Sequence, residues 1–166
     1  MWLIMKGCIL AVSLVLLFQH VFSQRQLPDV TVENLAGDRC SVKEVMNDSV
    51  PVVLAFWATT CKPCIQELDA LSEKFEDWKE ILDFKVAAVA TDDSRTALKV
   101  RPMTEGRDWP FEVFIDKNQE LKRAMNVSSI PFLFVLDKTG KVVHSHCGYT
   151  PGAEMEVLNV LEKLKP

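Results

Sequence analysis

Residues 57–64 read Trp-Ala-Thr-Thr-Cys-Lys-Pro-Cys and contain two cysteines, Cys61 and Cys64, separated by two residues. They follow a continuous apolar run at residues 51–56, and after them apolar side chains recur every three or four positions. The run predicts a strand that is covered on both faces, and the recurrence predicts an amphipathic helix of about five turns. The two cysteines are therefore predicted at a junction where a buried strand ends and a helix begins.

This junction gives the two thiols different surroundings. Cys61 is placed at the helix N-terminus, where unpaired N–H groups and the helix dipole favour an anion. Such a position can lower the pKa of a thiol from about 8.5 to roughly 3.5–7.5. Cys64 lies about one turn further along, where it can attack a mixed disulfide formed at Cys61. The spacing therefore predicts redox chemistry with Cys61 as the reacting thiol.

A zinc site and a structural disulfide are the alternative interpretations of this motif. Structural zinc takes four ligands, and the other candidates are His144, His146 and Cys147. On a strand the two histidines point to one face and Cys147 to the other, so three ligands from that segment would need a bulge. A structural disulfide rarely closes so tight a loop at a helix start. The redox pair is the preferred interpretation.

The N-terminal residues have the pattern of an export signal. Lys6 precedes an apolar run at residues 7–18, and Ser23 lies where a signal peptidase would cut. The competing interpretation is an uncleaved membrane anchor, but this run is shorter than the roughly 20 apolar residues that cross a bilayer. We expect a cleaved signal peptide at residues 1–23 and a single domain at residues 24–166, with membrane contact only if the signal segment is retained.

The charge of the chain argues against two classes of partner, and its cysteines leave one pairing to be decided. The formal net charge is −4, and no basic stripe is present, which argues against nucleic acid and anionic membrane surfaces as partners. Export would place the remaining cysteines where disulfides can persist. Cys8 lies within the predicted signal peptide, so besides Cys61 and Cys64 the exported chain would keep Cys40 and Cys147. Whether Cys40 and Cys147 pair is left open by the sequence, because disulfide geometry depends on the fold.

The order of predicted elements indicates an α/β fold. Strands and helices alternate through the middle of the chain, which predicts a mixed central sheet flanked by helices. A strand and its return at residues 30–42 predict an N-terminal hairpin. The Asp-Lys-Thr-Gly turn at residues 137–140 predicts a second hairpin near the C-terminus, followed by a helix starting near Pro151.

Residues 56–64, followed by Glu67, resemble the active site of thioredoxin-fold thiol-disulfide oxidoreductases, most closely the exported bacterial TlpA-like branch. Further similar stretches are residues 126–131, 134–141 and 148–152. The resemblance implies a thioredoxin-like fold and a periplasmic enzyme, preferably a disulfide reductase. It also implies protein thiols or disulfides as substrates, an upstream redox partner and a monomeric state. No cofactor or metal is implied, since the cysteine pair carries the electrons.

The resemblance also implies roles for individual residues. Cys61 becomes the attacking thiolate and Cys64 the resolving thiol. Pro131 matches the family's cis-proline beside the motif, and the backbone of Ile130 would pair with an extended substrate segment. Trp57 is expected to shield the site at the substrate surface, although it is also a candidate core residue.

Two charged residues near the motif are candidates for tuning it. Glu67 matches the acid that follows the motif in the TlpA-like branch, where it would relay the proton of the resolving thiol, and its alternative is a solvated helix glutamate. Lys62 would favour the Cys61 thiolate or is simply solvated. The chain departs from the usual family pattern at four positions, which are Ala55, Thr60, Asp69 and Phe132.

Two other functions remain as alternatives. One is a non-catalytic thioredoxin-like binding module in which the Cys61–Cys64 disulfide is permanent. The other is a peroxiredoxin, whose reactive cysteine follows a threonine or serine three residues earlier and a proline seven residues earlier. Those positions hold Ala58 and Leu54, so the peroxiredoxin interpretation is disfavoured.

Overall fold

The computed structural model describes residues 25–45 and 49–165, so the predicted signal peptide lies outside the described residues. The strands are β1 Thr31–Asn34, β2 Arg39–Ser41, β3 Val52–Trp57, β4 Lys85–Ala90, β5 Glu112–Ile115, β6 Phe132–Leu136 and β7 Val142–Cys147. The helices are α1 Val42–Val45, α2 Lys62–Ile81, α3 Val100–Glu105, α4 Glu120–Ala124 and α5 Glu154–Glu162, with a short 3-10 helix at Ala97–Lys99.

The seven strands form one mixed sheet in the order β2-β1-β5-β4-β3-β6-β7. Strands β3, β4 and β5 are parallel to one another. On one side β6 is antiparallel to β3 and β7 is antiparallel to β6, and on the other side β1 is antiparallel to β5 and β2 is antiparallel to β1. This arrangement confirms the predicted thioredoxin-like α/β fold and its N-terminal hairpin.

Strand β3 is the centre of the core. All six of its residues are buried, and it pairs with β4 on one side and β6 on the other. Its side chains alternate between the two apolar layers of the core, as the pleat of a strand requires. Because both faces and both edges of β3 are occupied, the chain leaves the interior only at the carboxyl end of the strand.

Helix α2 begins directly beyond that end. Cys61 is its N-cap residue, Pro63 lies in the first turn, and the helix continues for 20 residues. Proline is favoured in the first turn because its missing N–H group would have had no partner there. The apolar spacing that predicted this helix places Leu68, Leu71 and Trp78 on its buried face.

The C-terminal helix begins later than predicted. Helix α5 starts at Glu154, three positions after Pro151, which was expected to open it. Gly152 has a φ of +97°, which belongs to the left-handed region and cannot continue a right-handed helix. Residues 151–153 therefore form a turn, and the helix starts after it.

Cys40 and Cys147 are free thiols at opposite edges of the sheet. Cys40 lies on β2 and Cys147 on β7, which are the two edge strands. Six strand spacings separate these edges, or roughly 29 Å at about 4.8 Å per spacing. A disulfide needs Cα atoms within about 7 Å. Cys40 and Cys147 therefore do not pair with each other in this fold, which the sequence alone left open.

The loop between β3 and α2 is held by a buried carboxylate that lies just beyond the neighbouring strand. Asp92, just beyond β4, accepts hydrogen bonds from the Thr59 backbone N–H at 2.9 Å and from the Thr59 hydroxyl at 2.6 Å. Both residues are buried. Asp92 therefore anchors Thr59, which lies two residues before Cys61.

Replacing Asp92 tests this anchor. Asp92→Ala leaves two buried donors of Thr59 without an acceptor, so we expect the free energy of unfolding to fall by about 2–3 kcal/mol. Urea unfolding of the oxidised protein measures the change.

Asp92→Asn is the matched control. Its amide can accept from the backbone N–H of Thr59 and donate to the hydroxyl, so its loss should stay below about 1 kcal/mol. A loss below about 0.5 kcal/mol for Asp92→Ala would show that the loop does not depend on this contact.

Candidate active site

The two cysteines of the motif form a disulfide at the carboxyl end of β3. Their sulfur atoms are 1.99 Å apart and their Cα atoms 5.3 Å apart. Sγ of Cys61 accepts a hydrogen bond from the backbone N–H of Cys64 at 3.3 Å. Cys61 is half-buried and Cys64 is fully buried. An incoming thiol or disulfide can therefore reach Cys61 first, and a backbone N–H of the first helical turn points at the sulfur that would carry the charge.

Glu67 lies behind the buried cysteine. It follows Cys64 by three residues on the buried face of α2, and 2% of its surface is exposed. Its Oε1 is 2.7 Å from Nε2 of His146, which lies on the edge strand β7. Burial excludes the alternative of a solvated helix glutamate, whereas the proton relay at Glu67 stays a prediction.

The Ile130–Pro131 bond is cis and lies beside the motif, as the resemblance implied. Phe132, the next residue, pairs in register with Phe56 of β3, so Pro131 lies level with the end of that strand. Ile130 is half-buried and packs against the same apolar cluster as Cys61. The carbonyl of Pro131 accepts from the N–H of Gly148 at 2.9 Å, which fixes this loop to the end of β7.

Trp57, which was expected at the substrate surface, lies in the core with no exposed area. Its ring packs edge-on against Trp109 at a centroid distance of 5.1 Å. Direct contact with a substrate is not open to it in this conformation. It supports the motif from beneath, and its Nε1 is buried without a hydrogen-bond partner among the described residues.

The remaining residues near the motif are placed as follows. Lys62 is exposed at the first position of α2, and Thr60 is exposed in the loop before it. Asp69, which replaces a common proline of the family, accepts from the Trp109 indole N–H at 3.0 Å and pairs with Arg107 at 2.5 Å. Asp69 therefore connects α2 to the segment that contains Trp109, whose ring packs against Trp57.

The two groups that complete the site were not identified from the sequence. From the sequence, His146 is a candidate zinc ligand only, and no motif marks Asp92. Strand alternation did place His146 on one face of β7, but register alone could not show that this face meets Glu67. The position of Asp92 just after a parallel strand was a usable signal, because the carboxyl ends of parallel strands converge.

Among residues 25–45 and 49–165, no group of three or more His, Cys, Asp or Glu side chains is arranged to hold a metal ion. In the same ranges no helix combines the length and the apolar character needed to cross a bilayer.

Comparison with known proteins agrees with this geometry. Residues 24–145 match the model of the AhpC/TSA family. Thioredoxin-like protein YneN of Bacillus subtilis (strain 168) is 36% identical over 135 residues, which are 80% of this chain and 75% of the relative. Thiol-disulfide oxidoreductase ResA of Bacillus cereus (strain ZK / E33L) is 30% identical over 142 residues, which are 86% of this chain and 78% of the relative.

A solved structure agrees as well. The solution structure of an uncharacterized thioredoxin-like protein from Porphyromonas gingivalis superimposes with a TM-score of 0.75 at 40% identity, over 83% of this chain and 90% of that chain. The resemblance to thioredoxin-fold, TlpA-like proteins is thereby confirmed, and this chain belongs to the AhpC/TSA family.

Proposed function

We propose that this protein is a thiol-disulfide oxidoreductase that exchanges disulfides with protein substrates through Cys61 and Cys64. The observation that carries the proposal is the difference in exposure between the two sulfurs at the start of α2. Cys61 caps the helix and is half-exposed, whereas Cys64 is buried one turn behind it. This arrangement suits one thiol for attack and the other for resolution.

The proposed reaction has two steps. The reduced Cys61 thiolate attacks one sulfur of a substrate disulfide, which forms a mixed disulfide and releases the other substrate sulfur as a thiolate. Cys64 then attacks Cys61, so the Cys61–Cys64 bond forms and the substrate leaves fully reduced. Two electrons pass from the protein to the substrate, and an upstream reductant of thiol chemistry must restore the pair.

The substrate segment is proposed to lie across the Ile130–Pro131 loop. The loop is level with the end of β3, and Ile130 packs against the same cluster as Cys61. The proline removes one backbone donor, and the Ile130 backbone is offered to an extended segment, as in strand addition to a sheet edge.

We propose reduction as the direction, residues 1–23 as a cleaved signal peptide, and the periplasm as the location of the domain at residues 24–166. The resemblance to the TlpA-like branch supports reduction and the periplasmic location, and the apolar run after Lys6 supports the signal peptide.

Equilibration with glutathione tests the direction of the reaction, and the intact mass of the exported protein tests the cleavage site. A potential as oxidising as that of DsbA would overturn reduction.

Removing the resolving thiol tests the two-step reaction. Cys64→Ser should leave Cys61 free to attack but unable to release its partner, so covalent complexes with protein substrates accumulate. Non-reducing electrophoresis of cells expressing the variant, followed by mass spectrometry, detects them.

Cys61→Ser is the matched control, because it leaves only the buried sulfur and should give no complexes. The proposal fails if Cys64→Ser yields no adduct at Cys61 and the unmodified protein also does not reduce a model disulfide.

Alkylation separates this proposal from a binding module with a permanent disulfide. After mild reduction, Cys61 should react with iodoacetamide about tenfold faster than Cys40 at mildly acidic pH. Burial and the charges of Glu112, Asp38 and Glu44 raise the pKa of Cys40, so its thiol stays protonated there. Peptide mass spectrometry after brief labelling gives both rates from one sample.

A permanent disulfide would give a different result in the same experiment. Cys61 would then stay unlabelled until the protein is denatured, and mild reduction would not release it. Equal labelling of Cys61 and Cys40 would likewise contradict a thiolate stabilised by α2.

A further inference from the structure

We propose that His146 is a positioning residue for the resolving step, in which its Nε2–H group holds the buried Glu67 carboxylate ready to receive the proton of Cys64. This inference rests on the proposed function, because it concerns the second step of the same reaction. Neither the motif nor the resemblance assigned a role in catalysis to His146.

The contact between the two side chains is short and buried. Nε2 of His146 is 2.7 Å from Oε1 of Glu67, and the side chains are 16% and 3% exposed. Burying a carboxylate is costly unless it is paired and hydrogen-bonded, so Glu67 needs a donor at this place. His146 supplies that donor from β7, across the space between the sheet edge and α2.

The second nitrogen of the imidazole favours one of the two neutral tautomers. Nδ1 of His146 is buried and has no hydrogen-bond partner among the described residues. A proton there would be a buried donor without an acceptor, whereas a proton on Nε2 is satisfied by Glu67. The imidazole therefore donates through Nε2 and leaves Nδ1 bare.

The second carboxylate oxygen of Glu67 is the proposed proton acceptor. His146 contacts Oε1, and Oε2 is the oxygen that this contact does not use. Cys64 and Glu67 are three residues apart on the buried face of α2, a spacing that brings Cβ atoms to about 5–6 Å. Oε2 is thus the oxygen left to take the Cys64 proton.

Tyr149 is a further titratable group near this carboxylate, and it does not release its own proton. Its hydroxyl donates to Glu154 at 3.1 Å. Burial, this hydrogen bond, and the charges of Glu154, Glu67 and Glu73 raise the pKa of Tyr149 to about 12. It therefore keeps its proton throughout the neutral range.

The proposed step balances as follows. The Cys64 thiol gives its proton to Oε2 of Glu67, and its sulfur attacks Cys61 in the mixed disulfide. The Cys61–Cys64 bond forms as the bond between Cys61 and the substrate sulfur breaks. The substrate leaves as a thiolate, which then takes the proton from Glu67 or from solvent.

His144 provides a matched control on the same strand. Its ring lies 5.9 Å from that of His146, and both side chains are on the same face of β7. Its Nε2 is 3.9 Å from Glu156 rather than in contact with Glu67. Removing it therefore deletes a similarly placed imidazole while leaving the Glu67 contact intact.

The experiment follows a single turnover of the reduced protein with a disulfide-bonded peptide. Samples are quenched with acid, and mass spectrometry of digested protein measures formation and decay of the Cys61 mixed disulfide. His146→Leu should slow the decay about tenfold, part of the full effect of general acid–base catalysis, and leave formation within about twofold. His146→Gln keeps an N–H donor and should restore the decay to within about threefold of the unmodified protein.

Glu67→Gln should slow the decay at least as much as His146→Leu, and His144→Leu should leave it unchanged. The inference is wrong if the mixed disulfide of His146→Leu decays at the normal rate, or if this variant slows formation and decay equally. It is also wrong if His146→Gln does not restore the decay rate. A normal decay in Glu67→Gln or a slowed decay in His144→Leu would contradict it as well. The proposed function, by contrast, fails if the unmodified protein forms no mixed disulfide at Cys61 at all.

Discussion

The site depends on one constraint, which is that β3 is buried on both faces and paired along both edges. A strand enclosed in this way can present its chain to solvent only at an end. Helix α2 starts at the carboxyl end, so the first free N–H groups of a 20-residue helix face the residue that caps it. That residue is Cys61, and its sulfur accepts a hydrogen bond from one of these N–H groups. Its chemistry is therefore fixed by where the sheet ends.

The second property of the site is that charged groups lie inside the core and each has a partner. Asp92 holds the loop before the motif through two donors of Thr59, and Glu67 is held by His146 across the sheet edge. An apolar residue at either position would cost less free energy to bury, since buried charges are costly even when they are paired. Asp92 holds the loop before the motif, whereas the role proposed for Glu67 is to accept the proton of Cys64. The two carboxylates therefore differ in role although both are buried.

The sequence predicted the parts of the fold that local pattern determines. The apolar run of β3, the spacing in α2 and the turn at residues 137–140 each specify an element on their own, and all three are present. Contacts between distant elements could not be predicted in this way. The pairing of Glu67 with His146 depends on the register of β7, and the burial of Trp57 depends on Trp109, which no periodicity links to the motif. The late start of α5 depends on Gly152, whose backbone conformation outweighed the proline signal before it.

The separation of Cys40 and Cys147 on opposite edges of the sheet has a consequence for how the chain matures. If the chain is oxidised before it folds, Cys40, Cys61, Cys64 and Cys147 can pair in three different sets of two disulfides. The folded sheet keeps these two thiols roughly 29 Å apart and the Cys61 and Cys64 sulfurs adjacent. Folding before oxidation therefore removes the scrambled isomers, so the order of these two events decides whether the chain reaches its native pairing directly.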